Sequence, residues 1–151
     1  MRTVVTRSRM FLLSVAAVLL LGSLGSLTAR PDAAGNPVRV RLGQEFNLRA
    51  GQQAAVEGKR LKVRFVRVLN DSRCPVDVTC VWAGNAEVLI EVEDRGSRTR
   101  LKLNTQGGDK FPKEGRHHQY IIELVALGPN PRNSSRKKAT DYVVTLVIRE
   151  K

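Results

Sequence analysis

The sequence predicts an all-β protein, folded as a small single-domain sandwich or partly open barrel of about seven to eight antiparallel strands. Three observations favour this class. Apolar and polar residues alternate in most segments beyond residue 37, turn-forming residues separate these segments, and no segment after residue 30 has a convincing helical period. The chain has 151 residues, which is enough for one domain with a modest core.

The first 29 residues predict a secretory signal peptide. MRTVVTRSRM carries three arginines and no acid, an apolar run follows at Phe11–Leu21, and the small residues of GSLGSLTA lead to a favoured cleavage point after Ala29. The apolar run is shorter than the roughly 20 residues that cross a bilayer. An uncleaved N-terminal membrane anchor is the alternative. Residues 30–37 are then a flexible lead-in, and residues 38–151 form a disulfide-stapled β-domain without a transmembrane span.

Alternation predicts the first strands at residues 38–42, 54–56 and 61–70. The third of these segments, LKVRFVRVLN, is the longest. Leu61, Val63 and Phe65 share one face of it, and the apolar positions then move to Val66 and Val68. Such a change of face within a strand indicates a β-bulge near Phe65–Val66.

The segment AEVLIEVEDRGSRTRLKLNT, residues 86–105, predicts a β-hairpin with a two-residue turn at Arg95–Gly96. This register pairs Glu93 with Arg98 and Glu91 with Arg100 on the solvent face, and Ile90 with Leu101 and Val88 with Leu103 in the core. A slip of one residue would bury the charges, so the register is well determined.

The last third of the chain alternates between loops and strands. QGGDKFPKEGRHH, residues 106–118, is predicted to be a glycine-rich loop, and GPNPRNSSRKKAT, residues 128–140, a long basic loop. Between them YIIELVAL, residues 120–127, is apolar on both faces, which suits a central strand. The closing segment DYVVTLVIRE, residues 141–150, alternates again and predicts the final strand.

The two cysteines, Cys74 and Cys80, are predicted to form a structural disulfide, because an exported protein with two cysteines usually pairs them. Their spacing is not C-x-x-C, which argues against thioredoxin-type redox chemistry. Without a nearby histidine they cannot complete a zinc site. Trp82 follows Cys80 by two residues, so in an extended chain the indole would share its face and pack against the bridge as part of the core.

The stretch DSRCPVDVTCVWAGNAEV, residues 71–88, resembles the signature D-S-R-C-P-x4-C-x-W-A-G-x-A of an uncharacterised family of small exported bacterial β-rich proteins. The segments FNLRAGQQAAVEGKRLKVRFVRVLNDSRCP, LKLNT, YIIELVALGPNP and DYVVTLVI resemble other parts of those proteins. The resemblance implies a secreted or periplasmic β-domain and carries over no catalytic residue. Many of these relatives are lipoproteins, whereas this chain lacks the N-terminal cysteine that lipidation requires.

We therefore expect an exported, non-enzymatic binding or structural domain of the cell envelope, periplasmic or secreted. The net charge of +12, or +9 once the three leader arginines are removed, is compatible with anionic partners, but its spread along many segments favours a simpler role in keeping the protein soluble. Candidate partners are an anionic envelope component or a protein. No aromatic residues are interleaved with the basic ones, so we expect no nucleic acid. The candidate binding residues are Arg73, Arg116, Arg132, Arg136, Lys137 and Lys138.

Two other functions remain open from the sequence. A protease inhibitor could present Arg73-Cys74-Pro75 in a rigid loop, unless Arg73 instead pairs with Asp71 or Asp77. A metal could bind His117 and His118, although adjacent residues of a strand point to opposite faces and these two are expected in an exposed loop. The sequence has no G-x-S-x-G, glycine-rich phosphate loop or H-E-x-x-H motif, so we expect no enzyme and no cofactor.

Overall fold

The structure is a computed structural model that describes residues 35–133 and 138–151. These two ranges contain nine strands and one short 3-10 helix. The strands are β1 (Val38–Val40), β2 (Glu45–Arg49), β3 (Gln53–Val56), β4 (Leu61–Asp71), β5 (Ala86–Asp94), β6 (Ser97–Asn104), β7 (Glu114–His117), β8 (Tyr120–Gly128) and β9 (Val143–Glu150), and the 3-10 helix is Ala139–Asp141. The predicted signal peptide and residues 30–34 of the predicted lead-in lie outside the described residues.

The strands form two sheets, in the orders β1-β3-β4-β5-β6 and β2-β9-β8-β7. Apolar faces of the two sheets pack together as a sandwich that does not close into a barrel, so the predicted all-β class is confirmed. The nine strands of the described residues exceed the predicted seven to eight. The prediction had all strands antiparallel, whereas β1 and β3 run parallel. Between them the chain passes through β2 in the other sheet, and it therefore enters both strands from the same end.

The predicted register of the central hairpin is confirmed. In β5 and β6, Glu93 lies opposite Arg98, Glu91 opposite Arg100, Ile90 opposite Leu101 and Val88 opposite Leu103. On the solvent face Arg98 and Glu93 approach to 2.9 Å, and Arg100 and Glu91 to 3.3 Å. The register of β4 against β5 shifts between Phe65 and Arg67, which confirms the predicted bulge, and shifts again between Val68 and Asn70.

Two short strands have no counterpart in the prediction. Residues 45–49 pair with β9, and residues 114–117, expected within a loop, form the edge strand β7 beside β8. The segment EGRH has no apolar alternation, so backbone pairing alone makes it a strand. It fits closely over the other sheet, since a Cβ at Gly115 would lie 3.0 Å from a methyl group of Leu101.

The core lies between the sheets and is built mainly from aliphatic side chains, since only 5% of the chain is aromatic. Its largest fully buried members are Phe65, Leu48, Leu61, Ile90, Leu103, Ile122, Leu124, Leu146 and Ile148. One end of the sandwich gathers the last residue of β4, the first residue of β5 and the last residue of β8. Among residues 35–133 and 138–151, no helix has the length and apolar character needed to cross a membrane.

Candidate functional site

The disulfide loop, residues 72–85, joins β4 to β5 at this end of the sandwich. At its base the Ser72 amide donates to the Asn85 carbonyl at 2.8 Å, and the Cys74 amide donates to the Ala83 carbonyl at 2.8 Å. These bonds continue the pairing of β4 and β5 beyond the sheet. The base of the loop is thus a short extension of the strand ladder.

The outer part of the loop is closed by the predicted disulfide between Cys74 and Cys80, whose Cα atoms are 5.9 Å apart. Within this ring the Val78 amide donates to the Pro75 carbonyl at 3.3 Å, which makes a tight turn. Both cysteines are therefore used structurally, and no free thiol occurs in the described ranges.

An ion pair beneath the loop fixes its orientation. Nε and Nη2 of Arg73 donate to the carboxylate of Asp71 at 2.8 and 2.7 Å, and the two side chains are only 12% and 9% exposed. Arg73 also donates to the carbonyls of Leu127 and Pro129, and the Tyr142 hydroxyl donates to Asp71 at 3.1 Å. This one guanidinium group therefore ties the disulfide loop to the end of β8.

The protonation of this cluster follows from its contacts. Burial would raise the pKa of Asp71, but the hydrogen bonds and charge of Arg73 together outweigh it, so the pKa lies below its ordinary value. Burial and the neighbouring Asp71 carboxylate raise the pKa of Tyr142. Asp71 is therefore ionised and Tyr142 neutral at physiological pH, which suits the hydrogen bond between them.

The protease-inhibitor alternative stays a prediction, but the geometry of Arg73 differs from that of an inhibitor loop. Such a loop must extend its basic side chain into a pocket of the protease, whereas this side chain is 12% exposed and directed at Asp71 and two backbone carbonyls. Of the two acids that the sequence left open as partners, Arg73 pairs with Asp71. Asp77 instead accepts hydrogen bonds from the backbone amide of Asn133.

The second half of the loop base depends on Gly84 and Asn85. Gly84 has a φ of +70°, and a Cβ there would lie 1.9 Å from the Ser72 carbonyl oxygen. Only glycine therefore allows the two sides of the loop to approach this closely. The buried amide of Asn85 donates to Asn104 Oδ1 at 2.8 Å and accepts from the Thr105 amide at 3.2 Å, which anchors the loop to the end of β6.

Four apolar side chains of the loop face solvent and together form what we call the apolar tip. Val76 is 54% exposed, Val78 44%, Val81 106% and Trp82 65%. The predicted packing of Trp82 in the core is wrong. The chain bends at Val81–Trp82 instead of continuing as a strand, so the two-residue alternation that placed the indole inside does not apply.

A neighbouring segment, residues 129–133, supports one side of the loop. The Val76 amide donates to the Pro131 carbonyl at 2.9 Å. The Asn133 amide donates to the Asp77 carboxylate at 2.9 Å. Arg132 lies between these two contacts and is exposed. These backbone hydrogen bonds therefore place the exposed residue Arg132 next to the disulfide loop.

The predicted basic residues that the structure describes differ in exposure and in their place in the fold. Arg73 is buried, Arg116 lies on the edge strand β7 with its nearest acid, Glu114, at 3.9 Å, and Lys138 is exposed before the 3-10 helix. Arg136 and Lys137 lie outside the described residues. Arg132 is the predicted binding residue that hydrogen bonds of the described residues place beside the disulfide loop.

The two histidines differ in their exposure to solvent. His117, expected in an exposed loop, ends β7 and is 5% exposed, with Nδ1 2.9 Å from Thr99 Oγ1 and Nε2 buried without a hydrogen-bond partner. Burial, with a contribution from the charge of His118, lowers the pKa of His117. His118 is exposed, and the described residues contain no group of three or more His, Cys, Asp or Glu arranged to hold a metal ion.

A shallow cleft of about 300 Å³ at the opposite end of the sandwich brings together Asp94, Ser97 and His118. These residue types serve as acid, nucleophile and base in hydrolases, but that chemistry requires hydrogen bonds that link them in sequence. In the described part of the chain no side-chain hydrogen bond joins Ser97 to His118, and the ring contact of His118 is with His117, 4.4 Å between centroids. Among the described residues, the three side chains are therefore not linked in the order that this chemistry uses.

The fold and the loop define a class of protein, a disulfide-stapled β-sandwich with an exposed apolar loop. The chain matches no family model, no curated protein and no solved structure. The resemblance through D-S-R-C-P-x4-C-x-W-A-G-x-A stays a prediction. Asp71, Arg73 and Gly84 of this motif hold the base of the loop together in this chain.

The valines of the apolar tip were missed as candidate binding residues. A signal was present in the sequence, since Val76 and Val78 lie inside a short ring closed by Cys74 and Cys80, and loops of this kind usually run over the surface.

Proposed function

We propose that the protein is an exported, non-enzymatic binding domain of the cell envelope that engages its target through the apolar tip of the disulfide loop. The observation that supports this proposal is the contrast between tip and base. Val81 and Trp82 face solvent, while the Arg73–Asp71 ion pair beneath them is almost fully buried. A surface of large apolar side chains on a fixed support is typical of a recognition site.

The exported location rests on the disulfide and on the leader-like first 29 residues. A disulfide is stable in oxidising compartments and rare in the cytosol. The basic start, the short apolar run and the small residues before Ala29 have the order of a secretory leader.

The location can be tested by fractionating cells that express the full chain and alkylating free thiols before lysis. We expect a processed chain in the exported fraction with Cys74 and Cys80 both protected from alkylation until a reductant is added. A full-length chain in the cytosol with two reactive thiols would contradict the proposal.

The binding role can be tested with washed envelope fragments, which retain proteins, glycans and lipids. We expect the exported protein to sediment with the fragments, and Val81→Ser and Trp82→Ser variants to remain in the supernatant. Val38→Ser is the matched control, because Val38 is also exposed but lies on the edge strand β1. Equal sedimentation of all four proteins would contradict a role for the tip.

A further inference from the structure

We infer that the target of the apolar tip is the surface of an anionic phospholipid bilayer. This inference rests on the proposed function and specifies its partner. It follows from three features of the disulfide loop: its four exposed apolar side chains, the basic residue next to it, and the contacts that fix its base.

The apolar tip has the composition and shape of an interfacial anchor. Trp82 combines a large apolar ring with an indole N–H, which is why tryptophan concentrates at the headgroup level of membranes. Val76, Val78 and Val81 provide aliphatic surface within the same short loop. A projecting loop of this kind can reach the headgroup and acyl boundary without any groove in its partner.

The charge beside the tip complements an anionic surface. Arg132 is exposed next to the loop, and Asp77, an acid within the loop, accepts hydrogen bonds from the Asn133 amide. In the supporting segment, residues 129–133, Arg132 is the only charged residue. Basic side chains next to an apolar anchor are attracted to anionic headgroups, and that attraction weakens as salt is added.

The rigidity of the base lets the tip remain exposed in the absence of a membrane. The disulfide closes the outer ring, Arg73 ties the loop to β8, and the ladder contact at Gly84 prevents the loop from spreading. These contacts hold the base in the conformation that exposes the tip, so membrane insertion has little additional ordering cost.

The direct test uses vesicles without protein, prepared from phosphatidylcholine with and without phosphatidylglycerol. The probe is the protein isolated after export, its N-terminus defined by mass spectrometry. Trp82 is the only tryptophan of the chain, so its fluorescence reports the tip alone. We expect vesicles that contain phosphatidylglycerol to shift the emission to shorter wavelength and to sediment the protein, and we expect added salt to reverse both effects.

Variants assign the binding to individual side chains. We expect Val81→Ser to weaken vesicle binding about ten-fold through lost apolar burial, and Arg132→Ala to weaken it about five-fold through lost charge attraction. Val38→Ser should bind like the unchanged protein. Circular dichroism and an unchanged unfolding midpoint show whether each variant is folded.

Several results would overturn the inference. These are equal binding to vesicles with and without phosphatidylglycerol, binding that is unaffected by Val81→Ser, and a concentration-dependent dimer in which the tip of one copy covers that of another. Retention on envelope fragments without vesicle binding would also overturn it, but would leave the proposed function intact and indicate a protein or glycan target. Failure to bind either preparation would contradict both.

Discussion

Arg73 and Asp71 form an ion pair with an N–O distance of 2.7 Å, in which neither side chain is more than 12% exposed. The pair joins Asp71, the last residue of β4, to Arg73 in the disulfide loop. Through the same guanidinium group the loop is also bonded to the carbonyls of Leu127 and Pro129. The apolar tip can stay in solvent because this support lies beneath it.

Removing one partner of this pair should strongly destabilise the protein. Asp71→Ala leaves the guanidinium of Arg73 buried without its counter-charge, and we expect a loss of roughly 3–5 kcal/mol in the free energy of unfolding. Urea denaturation measures it. The double variant Asp71→Leu, Arg73→Met should lose clearly less, since it leaves no charge buried. A double variant at least as unstable as Asp71→Ala would show that uncompensated charge is not the cause.

We expect Gly84→Ala to destabilise the protein mainly through a steric clash, and Gly58 provides the control without a clash. Gly58 has the same φ of +70°, but a Cβ there meets no atom within 4 Å, whereas a Cβ at Gly84 would lie 1.9 Å from the Ser72 carbonyl oxygen. Gly58→Ala should therefore cost about 1–2 kcal/mol, the strain of a left-handed residue. Gly84→Ala should cost more, and thermal denaturation compares them. Equal losses would mean that the two sides of the loop are not in close contact.

The disulfide should stabilise the protein without being required for the sheets. A ring closed by cysteines six positions apart limits the unfolded chain only slightly, so Cys74→Ser, Cys80→Ser should lose about 2 kcal/mol. The core and the ion pair lie outside this ring, and the far-ultraviolet circular dichroism should therefore keep its β-type shape. A double variant that is unfolded at room temperature would contradict this division of roles.

His117 should make stability depend on pH near neutrality. Burial holds the pKa of folded His117 below that of the unfolded chain, about 6.5. As the pH falls below that value the unfolded state takes up a proton that the folded state resists, so stability present above pH 6.5 is lost as the pH falls through the folded pKa. Urea midpoints from pH 7 to pH 5 measure this loss, which His117→Gln should flatten. His118→Gln should keep most of it. A variant at His117 with an unchanged slope would assign the effect to other groups.

The alternation of apolar and polar residues correctly predicted those parts of the fold in which two independent signals in the sequence agree. In the hairpin of β5 and β6, pairing Glu91 with Arg100 outside also pairs Ile90 with Leu101 inside, so one register satisfies both faces. The bulge near Phe65 could be predicted for a similar reason, because the apolar parity changes within one continuous strand.

The features that the sequence did not reveal depend on distant contacts or on a departure from regular backbone. The alternation of apolar and polar residues could not predict the parallel pairing of β1 with β3, because it does not show which strands are neighbours in a sheet. Arg73 reaches the carbonyl of Leu127, fifty-four positions away. Trp82 was predicted to be buried because residues two apart in an extended chain lie on the same face. The chain bends at Val81–Trp82, so this rule does not apply there.

The exposure of Trp82 in the folded, oxidised protein is the most direct test of the account. As the only tryptophan, it can be followed by fluorescence without ambiguity. We predict an emission maximum close to that of the urea-unfolded chain and efficient quenching by acrylamide, under conditions where circular dichroism shows the sheets intact. An emission at short wavelength with protection from acrylamide would place the indole in a packed interior and contradict the existence of the apolar tip.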